Sequence, residues 1–209
     1  MHSHLAPAQR RIPTQRRGER RVAQLLKAAA AVIAAVGYDA ATMSAIAERA
    51  DAPIGSLYQF FPNKQAITQA LRTEIGRDYE ARLTALEGEA KRLSLDGLVP
   101  RLIDLSVDFV ESHPAFLALL DAPSATRSPL SLRKTLRERL AACFRAVDPR
   151  VPKAAAVRLA AVTLQVLKGL NQLYAEAPRA AGRQYVREYK IALACYLRAR
   201  LRENGRGAA

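Results

Sequence analysis

The chain has 209 residues, half of them hydrophobic and a quarter charged, with a net charge of +14, two cysteines and no tryptophan. Length and apolar content allow a self-sufficient core and exclude disorder throughout, while the weight of Ala, Leu and Arg points to helices. Cys143 and Cys195 lack CxxC or Cys/His spacing, which excludes a disulfide scaffold and makes them small buried hydrophobes in a reducing, cytoplasmic setting.

The positive excess suits nucleic acid or another anionic partner. It is spread along the chain: nine Lys/Arg against four acids leave residues 1–64 at +5, and the rest carries +9. Charge alone therefore locates no binding surface. The Arg-rich first 21 residues have no apolar centre, so no signal peptide is expected, and no run approaches the roughly 18 apolar residues of a membrane span.

Residues 1–18, with Pro7, Pro13 and arginines but no period, are expected to form a basic flexible arm. From about Glu19, Val22, Leu25, Leu26, Ala29, Ile33 and Val36 recur at three- and four-residue steps, one apolar helical stripe. Gly37 closes that helix and Tyr38-Asp39 turn the chain. Thr42 N-caps a short helix over 43–50, with Ile46, Ala47 and Ala50 inward. Asp51-Ala52 connect it to a third helix that opens at Pro53 and ends near Phe60, where Phe61-Pro62 breaks it.

Asn63 caps a fourth helix reaching about Arg92, with Ile67, Leu71, Ile75, Tyr79, Leu83 and Leu86 in step. A fifth covers 95–112, with Pro100 as a kink. His113-Pro114 restart the chain into a short helix to Leu120. After the loop "DAPSATRS", a helix begins at Ser128-Pro129 with Leu132, Leu136, Leu140, Cys143 and Phe144 on one face. Helices over 152–176 and 181–203 follow, and the tail "NGRGAA" is loose. The expected fold is all-α with about nine helices and no internal repeat.

The segment "ERADAPIGSLYQFFPNK" from Glu48 to Lys64 departs from a plain core helix. Two short helices with a tight turn and small residues at the crossing form a helix-turn-helix. Ala47 is the crossing position. Leu57 and Phe61 face inward with Ile46, which leaves Ile54, Gly55, Tyr58 and Gln59 outward. A mid-helix glycine costs on the order of 1 kcal/mol relative to alanine, and close backbone approach to a duplex would offset it. Tyr58 can offer its hydroxyl to a phosphate, and Gln59 can grip adenine N6 and N7 in a major groove. Lys64 and Thr42, at helix N-termini, suit phosphate contacts. Plain alternatives stay open: tight packing or fraying for Gly55, a half-buried aromatic for Tyr58, a solvated side chain for Gln59, a cap alone for Thr42.

"TMSAIAERADAPIGSLYQFFPNKQAI" resembles the DNA-binding signature of TetR/AcrR-family transcriptional regulators, through Thr42, Ile46, Ala47, Ala50, Gly55, Ser56, Leu57, Tyr58, Phe61 and Lys64. The resemblance covers about residues 19–70, and beyond them it rests on length and helical pattern. It implies a helix-turn-helix DNA-binding domain at 19–65 and a ligand-binding and dimerisation domain at 66–205. It further implies a cytoplasmic homodimer that represses transcription from a palindromic operator in double-stranded DNA, released by a small-molecule effector, with no cofactor. By position, Thr42, Ser56, Tyr58 and Lys64 hold the DNA backbone, while Ile54, Gly55 and Gln59 face base edges. Asp51 stands where Gly is common, Pro53 replaces a small hydroxyl residue, and Phe60 stands where His or Tyr is frequent. Arg16, Arg17, Arg20 and Arg21 can compensate by reaching phosphates or the minor groove.

In the remainder, Phe109, His113, Phe116, Leu117, Leu120, Phe144 and Leu167 are candidates to line an effector pocket, all of them also compatible with plain core. Leu164, Leu167, Asn171 and Tyr174 on the penultimate helix, and Tyr189, Leu193, Tyr196 and Leu197 on the last, are candidate dimer-seam residues that periodicity does not separate from core. Three histidines without paired ligand spacing give a metal site no support, and with no strand there is no strand-borne phosphate loop, so neither metal nor catalytic residues are expected. A basic membrane-surface protein or a nonspecific DNA-compacting protein are the competing readings, against which stand the alanine-rich first helix and the specific placement of Ile54 and Gln59.

Overall fold

The computed structural model describes residues 16–122 and 132–206. Among them are nine helices and no strand: α1 (Arg16–Ala40), α2 (Met43–Arg49), α3 (Ile54–Phe60), α4 (Lys64–Ala90), α5 (Leu95–Ser112), α6 (Phe116–Asp121), α7 (Leu132–Val147), α8 (Lys153–Glu176) and α9 (Arg179–Arg206). The expected arm over 1–15, most of the loop after Leu120 with the Ser128-Pro129 helix start, and tail residues 207–209 lie outside the described residues. Arg16 and Arg17 belong to helix rather than to an arm, and 204–206 continue α9 rather than forming a loose tail.

The described chain divides into two compact units, one reaching Ile75 and taking in α6, the other beginning at Gly76 and containing α5 and α7–α9. In the first unit, Val22, Leu25, Leu26, Ala29 and Ile33 of α1 are buried, as the stripe predicts, but Val36 is exposed. It sits one residue before Gly37, whose φ of 78° and ψ of 170° break the helix in a region that only glycine enters without strain. By length and composition α1 is apolar enough to cross a membrane, contrary to the expectation from sequence. Of its most apolar stretch, 33% is buried inside the protein.

Helices of seven residues are marginal in isolation, so α2 and α3 exist through what they bury. Ile46, Leu57 and Phe61 are fully enclosed, and Ala47 and Ala50 nearly so. Each enclosed large apolar side chain is worth roughly 1.5–3 kcal/mol. Asn63 caps α4 as expected, its Oδ1 accepting the Ala66 N–H at 2.8 Å. At the end of α6, Arg72 of α4 donates from Nε and Nη2 to the Leu119 carbonyl at 3.0 and 2.7 Å, and from Nη2 to the Ala122 carbonyl. These bonds satisfy acceptors that a helix end leaves open. Burial lowers the pKa of this guanidinium, against an opposing effect of Tyr38.

The second unit is a longer-range assembly. Tyr79 and Phe109 rings lie 4.3 Å apart at their centroids, and Arg82 sits over the Phe109 ring. Arg139 reaches Glu80 at 3.1 Å and Glu87 at 3.7 Å, tying α7 to α4. Asp104 pairs with Lys190 at 2.6 Å and Asp96 accepts from Arg198 Nε at 2.9 Å, tying α5 to α9. Cys143 is buried, its thiol pushed up to about 12, first by desolvation and then by Glu87. Cys195 is exposed, contrary to expectation.

Candidate nucleic-acid interface

The geometry of the first unit is built from its turns. Between α2 and α3, the Ala52 N–H bonds the Ala47 carbonyl at 3.0 Å, and Asp51 adopts φ 47°. Asp tolerates that left-handed conformation better than most residues, so the turn survives without glycine. Gln24 of α1 donates from Nε2 to the Ala50 carbonyl at 2.6 Å, fixing the end of α2. Pro53 precedes α3 without any side-chain cap, in keeping with the loss of a hydroxyl there.

On this frame α3 turns Leu57 inward and presents Ile54, Gly55, Tyr58 and Gln59 outward. Tyr58 is 50% exposed and Ile54 42%. A Cβ built on Gly55 meets nothing within 4 Å, so internal packing does not explain this glycine. The tight-packing reading of Gly55 fails on this observation, whereas Tyr58 keeps half of its surface in solvent. Ser56 is half-buried.

Thr42 is exposed and caps α2, its Oγ1 accepting the Ala45 N–H at 3.1 Å. The hydroxyl proton is not used by that bond and can still donate. Lys64 occupies a different setting from the one expected. Its ammonium donates to the carbonyls of Tyr38 at 2.9 Å and Asp39 at 3.0 Å, and lies 4.5 Å from the Tyr38 ring centroid. Two of its three protons therefore hold the turn after α1, and one is left for an anion. Arg16, Arg17 and Arg20 are exposed along the start of α1. Sequence reasoning missed Gln24 and Tyr38 as parts of this frame. Both act across long sequence separations, and only the position of Gln24 beside the buried stripe hints at its role.

The candidate pocket residues divide between the units. Phe109, Phe144 and Leu167 are core in the second, whereas Phe116 is buried and His113, Leu117 and Leu120 are half-buried in the first. The seam candidates need correction. Leu193, Leu197 and Asn171 are enclosed by their own unit and offer no surface to a second copy. Asn171 Nδ2 donates to Ser106 Oγ at 2.9 Å, while its Oδ1 has no partner among the described residues. An unsatisfied buried acceptor costs about 1–3 kcal/mol. Tyr174 bonds Glu111 through its hydroxyl and packs its ring over Gly182. Tyr189 packs its hydroxyl beside Gly169. Leu164, Tyr174, Tyr189 and Tyr196 are part-buried, and the exposed large apolar groups of α8 and α9 are instead Val162, Leu173, Tyr185 and Ile191.

Among the described residues no group of three or more His, Cys, Asp or Glu side chains is placed to hold a metal ion. Residues 25–71 match the family model for bacterial regulatory proteins of the tetR family, and residues 94–197 match a tetracyclin repressor-like C-terminal domain. The chain is 35% identical over 77 residues to the HTH-type transcriptional repressor KstR of Mycolicibacterium smegmatis, covering 37% of this chain and 34% of that protein. KstR of Mycobacterium tuberculosis is 31% identical over a stretch of the same length, so this chain spans about a third of these curated relatives. A TetR-family transcriptional regulator from Streptomyces coelicolor superposes with a TM-score of 0.65 at 28% identity, over 85% of this chain and 97% of that one. One from Pectobacterium atrosepticum shares the fold, with a TM-score of 0.66 at 21% identity over 90% and 97% of the two chains. With the helix-turn-helix geometry and models matched along most of its length, the chain belongs to the TetR family and is a DNA-binding transcriptional regulator.

Proposed function

We propose that this regulator is a cytoplasmic homodimeric repressor whose α3 enters the major groove of each half of a near-palindromic operator, and that a small molecule bound in the second unit releases it. The observation that carries this reading is the outer face of α3. Ile54, Gly55, Tyr58 and Gln59 are exposed together, with open space where a Gly55 side chain would stand. Apolar and hydrogen-bonding groups left uncovered on a short, well-anchored helix fit a surface completed by another molecule. Gln59 supplies the paired donor and acceptor for an adenine edge, and Ile54 an apolar contact for a thymine methyl. Tyr58, Thr42, Ser56 and the remaining proton of Lys64 supply phosphate contacts, which position the helix without choosing sequence. Arg16, Arg17 and Arg20 add charge that strengthens binding at low salt. The repressor reading draws on the function of the KstR relatives.

Dimerisation is assigned to α8 and α9, through the outward Val162, Leu173, Tyr185 and Ile191 rather than the enclosed Leu193 and Leu197. Replacing Ile191 by Asp should shift the sedimentation coefficient toward monomer while leaving the helical signal intact.

The decisive experiment selects bound duplexes from a random pool at a fixed, stated salt concentration. A recovered palindrome with half-sites spaced by about one helical turn or a multiple supports the reading. Recovery of no preferred sequence, with affinity set by salt alone, overturns it in favour of nonspecific DNA binding.

A further inference from the structure

The enclosed side chains of the second unit are mostly apolar, with a small neutral polar set among them. Tyr79 of α4, Ser106 of α5, and Thr163 and Asn171 of α8 are each at least nine-tenths buried. Asn171 donates to Ser106, and the Ser106 and Tyr79 hydroxyls are hydrogen-bonded to each other. Burial pushes the Tyr79 phenol above its ordinary pKa, so the group is uncharged at neutral pH. Two oxygens stand outside this network: Asn171 Oδ1 and Thr163 Oγ1 have no partner among the described residues.

The case of Thr163 is informative because a helical threonine has an easy remedy. Thr68, Thr73 and Thr84 each bond the carbonyl four residues back, at 2.7, 2.9 and 2.8 Å. Thr163 is fully buried and its hydroxyl is left open. Thr163, Leu167 and Asn171 follow one another at four-residue steps along the buried side of α8. Eight residues of helix separate the two open oxygens by about 12 Å along the axis, with the apolar Leu167 between them. Glu80 and Glu87 of α4 are paired with Arg139 of α7.

Resting on the regulator reading above, we propose that the effector is an elongated, uncharged, mainly apolar small molecule with a hydrogen-bonding group at each end. It lies along α8, its ends meeting Asn171 and Thr163 and its middle against Leu167. A charged end group is disfavoured, because the groups proposed to meet the ends, Asn171 and Thr163, are buried and neutral.

The test uses the full chain and a series of linear α,ω-alkanediols, with the matching dicarboxylates and single-ended alcohols as controls, followed by calorimetry and by thermal shift. Affinity is expected to peak at the diol whose oxygens lie about 12 Å apart, ahead of the dicarboxylate and the alcohol of equal length. Asn171→Leu and Thr163→Val should each weaken the best diol roughly tenfold and flatten the length preference. Thr163→Val should also raise the unliganded Tm by about 2–4 °C, since an open buried oxygen is removed, whereas Asn171→Leu also loses the bond to Ser106. If Asn171→Leu disturbs folding, the near-isosteric Thr163→Val carries the comparison. Diols that bind no better than the alcohols, a dicarboxylate that binds best, or variants that bind like the parent would overturn the proposal. The last result is the one expected if trapped water alone satisfies the two oxygens. Duplex binding is measured on the same preparations. Intact DNA binding without diol binding defeats the ligand class alone, whereas diol binding without DNA binding defeats the regulator reading.

Discussion

α3 has seven residues, buries one large side chain, Leu57, and leaves Ile54 and Tyr58 in solvent, whereas α8 has 24 residues and hides Thr163 and Asn171 among its buried positions. The two helices break the same rule in opposite directions, one with apolar groups outside and the other with polar groups inside. An exposed Ile and Tyr cost little in water and are common on surfaces. A buried oxygen without a partner costs far more, so the second inversion is the harder one to retain without a use. The contrast also separates what each helix asks of its neighbours. α3 needs them only for anchoring through Leu57, and α8 needs them along much of its length.

The largest test of that contrast removes the anchor. Leu57→Ala should destabilise the first unit by about 2–5 kcal/mol, read as a lowered thermal midpoint, and abolish duplex binding with it. A smaller shift would mean that α3 is held from elsewhere. Gln59→Ala, on the open face, should leave stability within about 0.5 kcal/mol and relax preference at one base pair per half-site by about 1–3 kcal/mol in competition binding. Unchanged preference would remove Gln59 from the interface. Gly55→Ala sharpens the point further. With open space at that position it should stabilise the free protein by up to about 1 kcal/mol, yet weaken duplex binding by pushing the helix away from the groove.

The last effect vanishes at neutral pH. The buried Cys143 thiol, pushed up to about 12, keeps its proton in the folded state after the unfolded chain has begun to lose it near the ordinary thiol value of 9.0. The folded state then binds more protons, so stability is full below about pH 9 and falls as pH rises toward 12. Cys143→Ala should flatten that alkaline limb in pH-dependent unfolding. A limb unchanged in the variant would assign the loss to other groups, the buried phenol of Tyr79 among them.

The helix-turn-helix was legible because its signals are local. The Thr42 cap, the Asn63 cap, the Gly37 break and the inward set Ile46, Leu57 and Phe61 each depend on residues within a few positions of one another. What escaped depends on distant partners. Nothing local shows that the Tyr38 and Asp39 carbonyls, 26 and 25 residues earlier, take two of the Lys64 protons. For Asn171, a periodic pattern marks which positions share a side of a helix, without saying whether that side meets Ser106 or a second copy. The bond from Arg72 to the end of α6 spans 47 residues and left no sign in the order of residues.

The open flank of α3 also bears on how readily that helix tolerates change. Because a side chain at position 55 meets nothing of the protein itself, and Ile54, Tyr58 and Gln59 point away from the interior, mutations there can be sampled with little risk to folding. The α3 face can therefore be re-engineered on a scaffold that stays the same.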